Sequence, residues 1–241
     1  MTPADASRLT PHGFFIAGTD TNIGKTRVAA ALLHAYAGLG YRVLGMKPVA
    51  AGAELIAGVW VNEDVALLRA AGNVRAAPEL INPYLFREPI APHIAAEHKG
   101  VRIEIPRIRA AFEALAAQAD VVVVEGVGGL LVPLSGQKDA ADLAVALGLP
   151  LILVVGMRLG CINHALLTVE AILAHGLKLA GWVANRLDPE MTAYEENLAA
   201  LIRRIPAPLL AVTPWLPTFD AARMAAAFAP KRLAILLSDH G

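Results

Sequence analysis

The chain has 241 residues, 21 Lys+Arg against 21 Asp+Glu for a formal net charge of +0, and 56% hydrophobic against 17% charged residues. Balanced charge with no dense Lys/Arg run argues against sequence-independent nucleic-acid binding. The apolar stretch Leu143 to Met157 is broken by Pro150 and too short to span a bilayer. The polar start, Met1 to Gly13, carries no apolar signal region, and the single cysteine, Cys161, allows no intrachain disulfide, so a cytoplasmic protein is expected. The length holds one large α/β domain or two small ones. No repeat, low-complexity tract or charged linker divides it, so a single domain over 1–241 is expected. The apolar surplus predicts a buried sheet and a subunit interface, and a dimer is the expectation.

The first predicted strand is Phe14–Ala17, followed by the loop Gly18-Thr19-Asp20-Thr21-Asn22-Ile23-Gly24-Lys25-Thr26. A helix is predicted from Lys25 to Leu39, with Val28, Leu32, Ala35 and Leu39 on one face and Gly40 as its stop. Strand, glycine-bounded loop and Lys-Thr at a helix start form the arrangement that cradles nucleotide phosphates. Backbone N–H groups and the positive helix end face the anion together. Lys25 would add a charge at the terminal phosphates, and the Thr26 hydroxyl a magnesium ligand. The spacing is off the common pattern, because five residues instead of four separate Gly18 from Gly24.

A second strand, Arg42–Lys47, ends in a lysine that would face the ligand crevice, although a strand-end lysine standing alone is commonly just solvated. Helix Glu63–Ala71 follows, with Asp64 in a position that suits N-capping. The segment Pro78 to Gly100, with Pro83, Pro89 and Pro92, breaks the rhythm as a loop or a short helix packed across the site. After helix Pro106–Gln118, strand Val121–Glu125 ends in an acidic residue followed by Gly126-Val127-Gly128-Gly129. A strand-end carboxylate there can hold magnesium opposite a phosphate-loop threonine, and also suits a turn cap.

Helix Ala140–Leu147, strand Leu151–Val155 and helix Ile162–His175 continue the alternation. Strand Leu179–Ala184 ends in Asn185, whose amide suits the N6/N7 edge of adenine and equally suits turn chemistry. Helix Thr192–Arg203, strand Leu209–Val212 and a helix around Ala221–Phe228 complete the reading. Alternating apolar strands and helices predict an α/β phosphate-loop fold, its central sheet mostly parallel with helices on both faces. Ligands then gather beyond the carboxyl ends of the strands. Cys161 and His164 lack a second ligand pair for zinc, and none of Ser7, Ser135 and Ser238 lies in a Gly-x-Ser-x-Gly elbow.

Taken in order, Gly18-Thr-Asp-Thr-Asn-Ile-Gly-Lys-Thr26, Lys47-Pro-Val-Ala50, Asn82-Pro-Tyr84, Pro92-His93, Val124-Glu-Gly-Val-Gly-Gly129, Val154-Val-Gly156, Leu159-Gly-Cys-Ile-Asn-His164, Gly181-Trp-Val-Ala-Asn185 and Pro214-Trp-Leu216 resemble the dethiobiotin synthetase family. The displaced glycine is that family's own form of the loop. The resemblance spans nearly the whole chain from Phe14 to Leu216.

It implies a homodimeric ATP- and Mg2+-dependent ligase of biotin biosynthesis, acting on 7,8-diaminopelargonate, CO2 and ATP. One substrate amine captures CO2 as a carbamate, ATP phosphorylates it, and the second amine closes the cyclic urea. Lys47 and Lys25 would be catalytic, and Thr26, Asp64 and Glu125 the magnesium set. Nucleotide contacts would come from Asn22, Ile23, Gly24, Lys25, Thr26, Arg27, Asp64, Glu125, Gly126, Val127, Gly128, Asn185, Arg186, Pro214, Trp215 and Leu216. Substrate contacts would come from Thr21, Lys47, Ala51 and Asn163, the last across the dimer interface. The chain departs from the family at Asn22, where Glu is frequent, and at Ala50-Ala51-Gly52, where a serine hydroxyl is common.

Two rival families fit less well. ParA-type and nitrogenase-iron-protein-like ATPase switches use a second lysine where Asp20 stands. Cobyrinic-acid-type amide synthetases carry a glutamine-hydrolysing domain for which 241 residues leave no room.

Overall fold

The computed structural model describes residues 12–238. The polar opening to Gly13 therefore falls almost wholly outside the described residues, and Ser7 does entirely. The chain begins β1 (His12–Gly18), α1 (Lys25–Gly38), β2 (Val43–Met46), β3 (Val49–Ala50), β4 (Glu54–Ile56), β5 (Val59–Val61), α2 (Glu63–Ala71), α3 (Pro78–Ile81), β6 (Tyr84–Leu85), α4 (Pro92–His98) and α5 (Ile105–Ala116). It continues β7 (Val121–Glu125), β8 (Pro133–Ser135), β9 (Lys138–Asp139), α6 (Ala140–Leu147), β10 (Leu151–Met157), α7 (Cys161–Ala174), β11 (Leu179–Arg186), α8 (Tyr194–Arg204), β12 (Leu209–Thr213), α9 (Ala221–Ala225) and α10 (Pro230–Ser238).

A 6-stranded sheet in the order β12-β11-β10-β1-β7-β2 forms the centre, and every ladder in it is parallel. Its strands are apolar at nearly every position because both faces are covered. Phe14, Ile16, Val121 and Val123 point into one core with α1, α9 and α10. Phe15, Ala17, Val122 and Val124 point into the other with α5, α6, α7 and α8. Neighbours in sequence thus feed opposite cores, as the period of two requires. Ile16 pairs with Glu125 and Gly18 with Val154, so the carboxyl ends of β7, β1 and β10 open on one edge.

Several boundaries differ from expectation for identifiable reasons. β10 and β11 run on to Met157 and Arg186 because Gly156–Asn185 and Met157–Arg186 still pair. Arg42 leaves β2 to bond Asp120, at 3.0 Å from Nη2 to Oδ1, and Lys47 leaves it at the other end, next to Pro48. α8 starts only at Tyr194, since Ala193 before it is left-handed (φ 54). The helix expected around Ala221–Phe228 stops at Ala225, and the unforeseen α10 follows.

The Pro78–Gly100 segment holds two short helices, α3 and α4, each with proline in its first turn, where the missing N–H costs nothing. Between them β6 pairs with β3, Val49 opposite Tyr84 and Ala50 opposite Leu85, which ties the segment to the strand after Lys47. The antiparallel β4–β5 hairpin was also unforeseen, its turn carried by Ala57 and Gly58 at φ 49 and 81.

Candidate functional site

The loop from Gly18 to Thr26 leaves β1 with Thr19 N–H donating to the Val154 carbonyl at 3.2 Å. Asn22 and Gly24 are both left-handed (φ 58 and 86). A Cβ on Gly24 would lie 2.2 Å from Asn185 Nδ2, so only glycine allows the loop this close to β11. No side chain caps α1 and no acidic residue occupies its first turn. Its leading N–H groups are therefore left for an anion. Lys25 is buried and donates from Nζ to the Asp20 carbonyl at 2.7 Å. Burial first, and the nearby Lys47 charge second, push its pKa down to about 8.

Beside the loop lie four side chains, three from α1, α2 and β7 and the fourth, Lys47, from the residue just after β2. Thr26 Oγ1 is 2.8 Å from Asp64 Oδ1 and 2.9 Å from Glu125 Oε1. Lys47 Nζ donates to Asp64 Oδ2 at 2.9 Å, to Glu125 Oε1 at 2.6 Å and to the Gly126 carbonyl at 3.4 Å. Lys47 is only 4% exposed, so the solvated strand-end reading does not hold. Burial alone would lower its pKa, but Glu125 and Asp64 outweigh burial and hold it above the ordinary lysine value. Burial pushes the Glu125 carboxyl up against the pull of Lys47. Partial burial pushes Asp64 the same way, yet Lys47 and the Thr26 hydrogen bond hold it below the usual range.

Asp64 is not the cap of α2. Asn62 takes that position, accepting from Val65 N–H at 3.2 Å while its amide donates to the Ala51 and Gly52 carbonyls at 3.1 and 3.3 Å. The Asp64 carboxylate is thereby released toward Thr26 and Lys47.

The donor set suits a hard divalent cation. A hydroxyl has one proton, so Thr26 can donate to only one of its two carboxylate neighbours at a time. The other contact sets oxygen against oxygen, and Glu125 Oε2 is buried with no hydrogen-bond partner. Three oxygens so arranged are of the kind Mg2+ takes, together with phosphate oxygens.

These groups floor a cleft of about 880 Å3. Of the residues singled out from sequence, Thr21, Asn22, Gly24, Lys25, Thr26, Arg27, Lys47, Ala51, Asp64, Glu125, Val127, Gly128, Asn185, Arg186, Pro214, Trp215 and Leu216 line it. Ile23 is buried under the loop and Gly126 bonds Ile16 through its N–H at 3.0 Å, so neither side lines the cleft. Asn163 lies on an exposed stretch of α7, outside the cleft of the single chain. Cys161 is buried, whereas His164 beside it in sequence is exposed.

Asn185 spends its amide inside the protein. Nδ2 donates to the Ile23 carbonyl at 2.8 Å, and Oδ1 accepts from Thr213 Oγ1 at 2.7 Å. Arg27 lies over the Phe219 ring at 5.9 Å, and Arg186 over Tyr194 at 4.6 Å. Sequence reasoning placed the proline segment across the site without assigning its residues, and Pro89–Pro92 do line the cleft; it missed Glu63, Leu67, Val132, Leu187 and Met224. The proline cluster was a usable signal; the isolated apolar residues gave none.

A parallel sheet carrying an uncapped glycine loop, a buried lysine followed by a half-buried threonine, and facing carboxylates defines a phosphate-loop nucleotide-binding α/β protein. Solved structures agree on the fold: MinD of Aquifex aeolicus at TM-score 0.57 and 15% identity over 95% of this chain and 98% of that one, and chloroplast FtsY of Physcomitrella patens at TM-score 0.51 and 18% identity over 97% and 66%. Residues 12–223 match the family model described as an AAA domain. The ATP-dependent dethiobiotin synthetase BioD of Aromatoleum aromaticum is 64% identical over 216 residues, 90% of this chain and 96% of its own length. Its counterpart from Nitrosospira multiformis is 55% identical over 209 residues, 87% and 91% of the respective lengths. The chain belongs to the ATP-dependent dethiobiotin synthetase family, ligases that form carbon–nitrogen bonds in biotin biosynthesis. No helix among the described residues is long and apolar enough to cross a membrane.

Proposed function

We propose that this chain, acting as a single domain paired into a cytoplasmic homodimer, closes the ureido ring of dethiobiotin in its phosphate-loop cleft. The observation that carries the reading is the convergence of Thr26, Lys47, Asp64 and Glu125 beside the loop. One amine of 7,8-diaminopelargonate adds to CO2, forming an N–C bond and losing a proton to give a carbamate. A carbamate oxygen attacks the γ-phosphorus of ATP, the bridging P–O bond breaks, and ADP leaves. The second amine then attacks the carbonyl carbon of the mixed anhydride, and phosphate departs as the ring closes.

Two anions must meet in this sequence, so fixed positive charge has to offset their repulsion. Lys47 is assigned to the carbamate and Lys25 with the loop N–H groups to the γ-phosphate. Thr26, Asp64 and Glu125 would hold Mg2+, which when bound neutralises triphosphate charge. Thr21 and Ala51 are assigned to the diamine, and Asn163 to its tail across the dimer interface. Arg27, Arg186 and the Pro214–Leu216 segment are assigned to the nucleoside end, together with the second Nδ2–H and second Oδ1 lone pair that Asn185 keeps beyond its internal bonds. With both amines on one molecule, ring closure gains from proximity once that molecule is held.

Purified protein given diaminopelargonate, bicarbonate and MgATP should release ADP and form dethiobiotin. ATP hydrolysis indifferent to the diamine, with no product, would overturn the assignment.

The Lys25 pKa of about 8 adds a pH signature. Below it the lysine is already charged, and affinity for a non-hydrolysable MgATP analogue, which carries the γ-phosphate, should be flat. Above it, binding has to recharge the lysine, so affinity should fall by up to about tenfold per pH unit, with uptake of roughly one proton per nucleotide. Calorimetry in buffers of different ionisation heat measures that uptake; affinity that stays level to pH 9.5 would contradict the role of Lys25.

A further inference from the structure

One charged residue of the phosphate loop works against the loop's task. Asp20 places a carboxylate within the segment whose N–H groups face an incoming anion. Each of its oxygens has a protein partner: Oδ1 accepts the Thr21 N–H at 2.7 Å, and Oδ2 accepts from Arg158 Nη2. Its main-chain carbonyl is the acceptor for Lys25 Nζ at 2.7 Å. Asp20 thus sets the peptide before Thr21, which lines the cleft, and anchors the lysine assigned to the γ-phosphate.

Arg158 comes from elsewhere in the chain, in the turn between the end of β10 and the left-handed Gly160 that opens α7. Its carbonyl accepts the Cys161 N–H at 3.0 Å, which starts that helix turn. Arg158 does not line the cleft.

We infer that Arg158 is a positioning residue for nucleotide binding: it pins the loop through the Asp20 carboxylate and cancels that carboxylate's charge beside the phosphates. The inference rests on the cleft being the nucleotide site. The pair is partly open to solvent, with side-chain exposures of 47% and 42%, so its effect is modest and sensitive to salt. Without Arg158 the loop keeps an unbalanced negative charge within electrostatic reach of Lys25, although the Asp20 side chain, like Arg158, does not itself line the cleft. Without the carboxylate there is no charge for Arg158 to offset.

The test is MgADP affinity by calorimetry, in 50 mM and 500 mM salt, with thermal melts alongside. Arg158→Ala should weaken MgADP about three- to fivefold at low salt, the scale of an exposed ion pair, and less at high salt. Arg158→Lys should restore affinity to within twofold of wild type. In the Asp20→Asn background, Arg158→Ala should change affinity by less than about twofold, the approximate limit for an uncoupled pair. Wild-type affinity in Arg158→Ala, or the same weakening in both backgrounds, would overturn the inference. Wild-type protein that binds MgADP but makes no dethiobiotin counts against the proposed reaction alone, because this test reads only nucleotide binding.

Discussion

Lys47→Ala is expected to slow dethiobiotin formation by roughly a hundred- to a thousandfold while MgADP still binds within a few-fold of wild type. Among the described residues the ammonium is the one cation that bridges Glu125 and Asp64, at 2.6 and 2.9 Å, and it sits outside the loop assigned to the phosphates. If it holds the carbamate against the γ-phosphate, losing it removes stabilisation that exists only as the two anions react. Loss of a single such electrostatic contact costs roughly a hundred- to a thousandfold in turnover. The variant should also melt lower, because Glu125 is 1% exposed and its carboxylate would lose its counter-charge. Breaking a buried pair by removing one partner costs about 3–5 kcal/mol, relieved in part as Glu125 takes up a proton. Lys25→Ala is the contrast, with its loss appearing first in nucleotide affinity. Single-turnover kinetics and calorimetry on the two variants separate the roles, and an equal loss of nucleotide affinity in both would contradict them.

Gly24→Ala should be the most damaging small substitution for nucleotide binding. The new methyl would stand 2.2 Å from Asn185 Nδ2, and φ 86 is a conformation alanine avoids. Asn185 cannot yield cheaply, since both ends of its amide are bonded, to the Ile23 carbonyl and to Thr213. The loop must move instead, carrying Lys25 and Thr26 with it. Strain of order 1–3 kcal/mol at such a position, added to the clash, predicts a loss of MgADP affinity of about a hundredfold. Gly40→Ala is the control, because Gly40 has a similar φ of 90 but nothing within 4 Å of the added carbon. It should cost stability alone, about 1 kcal/mol. Nucleotide binding unchanged in Gly24→Ala would show that the loop is not held in this conformation.

The central sheet was legible because burial on both faces leaves a plain trace: Val121–Val124 is apolar at every position, and so are its neighbours. The loop was legible for a different reason, since glycine, lysine and threonine at a strand-to-helix turn have few other uses. What sequence could not show was partnership. Lys47 and Glu125 are 78 residues apart, and neither residue's surroundings in sequence reveal that they share a proton-rich contact. Asn62 and Asp64 are both able to cap α2, and only the tertiary position of Ala51 and Gly52 decides that Asn62 does so. The hairpin of β4 and β5 escaped notice because Leu55, Ile56 and Val59 are apolar yet exposed, so alternation gave no inside or outside. Asn163 marks a further boundary: a residue whose assigned ligand lies across a subunit interface has no visible target in one chain.

Asn185 and Thr213 face each other across the β11–β12 ladder, and Asn185 reaches from there to the loop carbonyl of Ile23. The segment that follows Thr213, Pro214–Leu216, lines the same cleft. In the reading proposed above, the base end and the phosphate end of the site are joined through this one amide. A base seated badly against Trp215 would tug on the strand that fixes the loop, and the error would surface at the γ-phosphate. Discrimination among nucleotides in such a site is expected to register in turnover as well as in affinity, because the part that reads the base also sets the part that reacts.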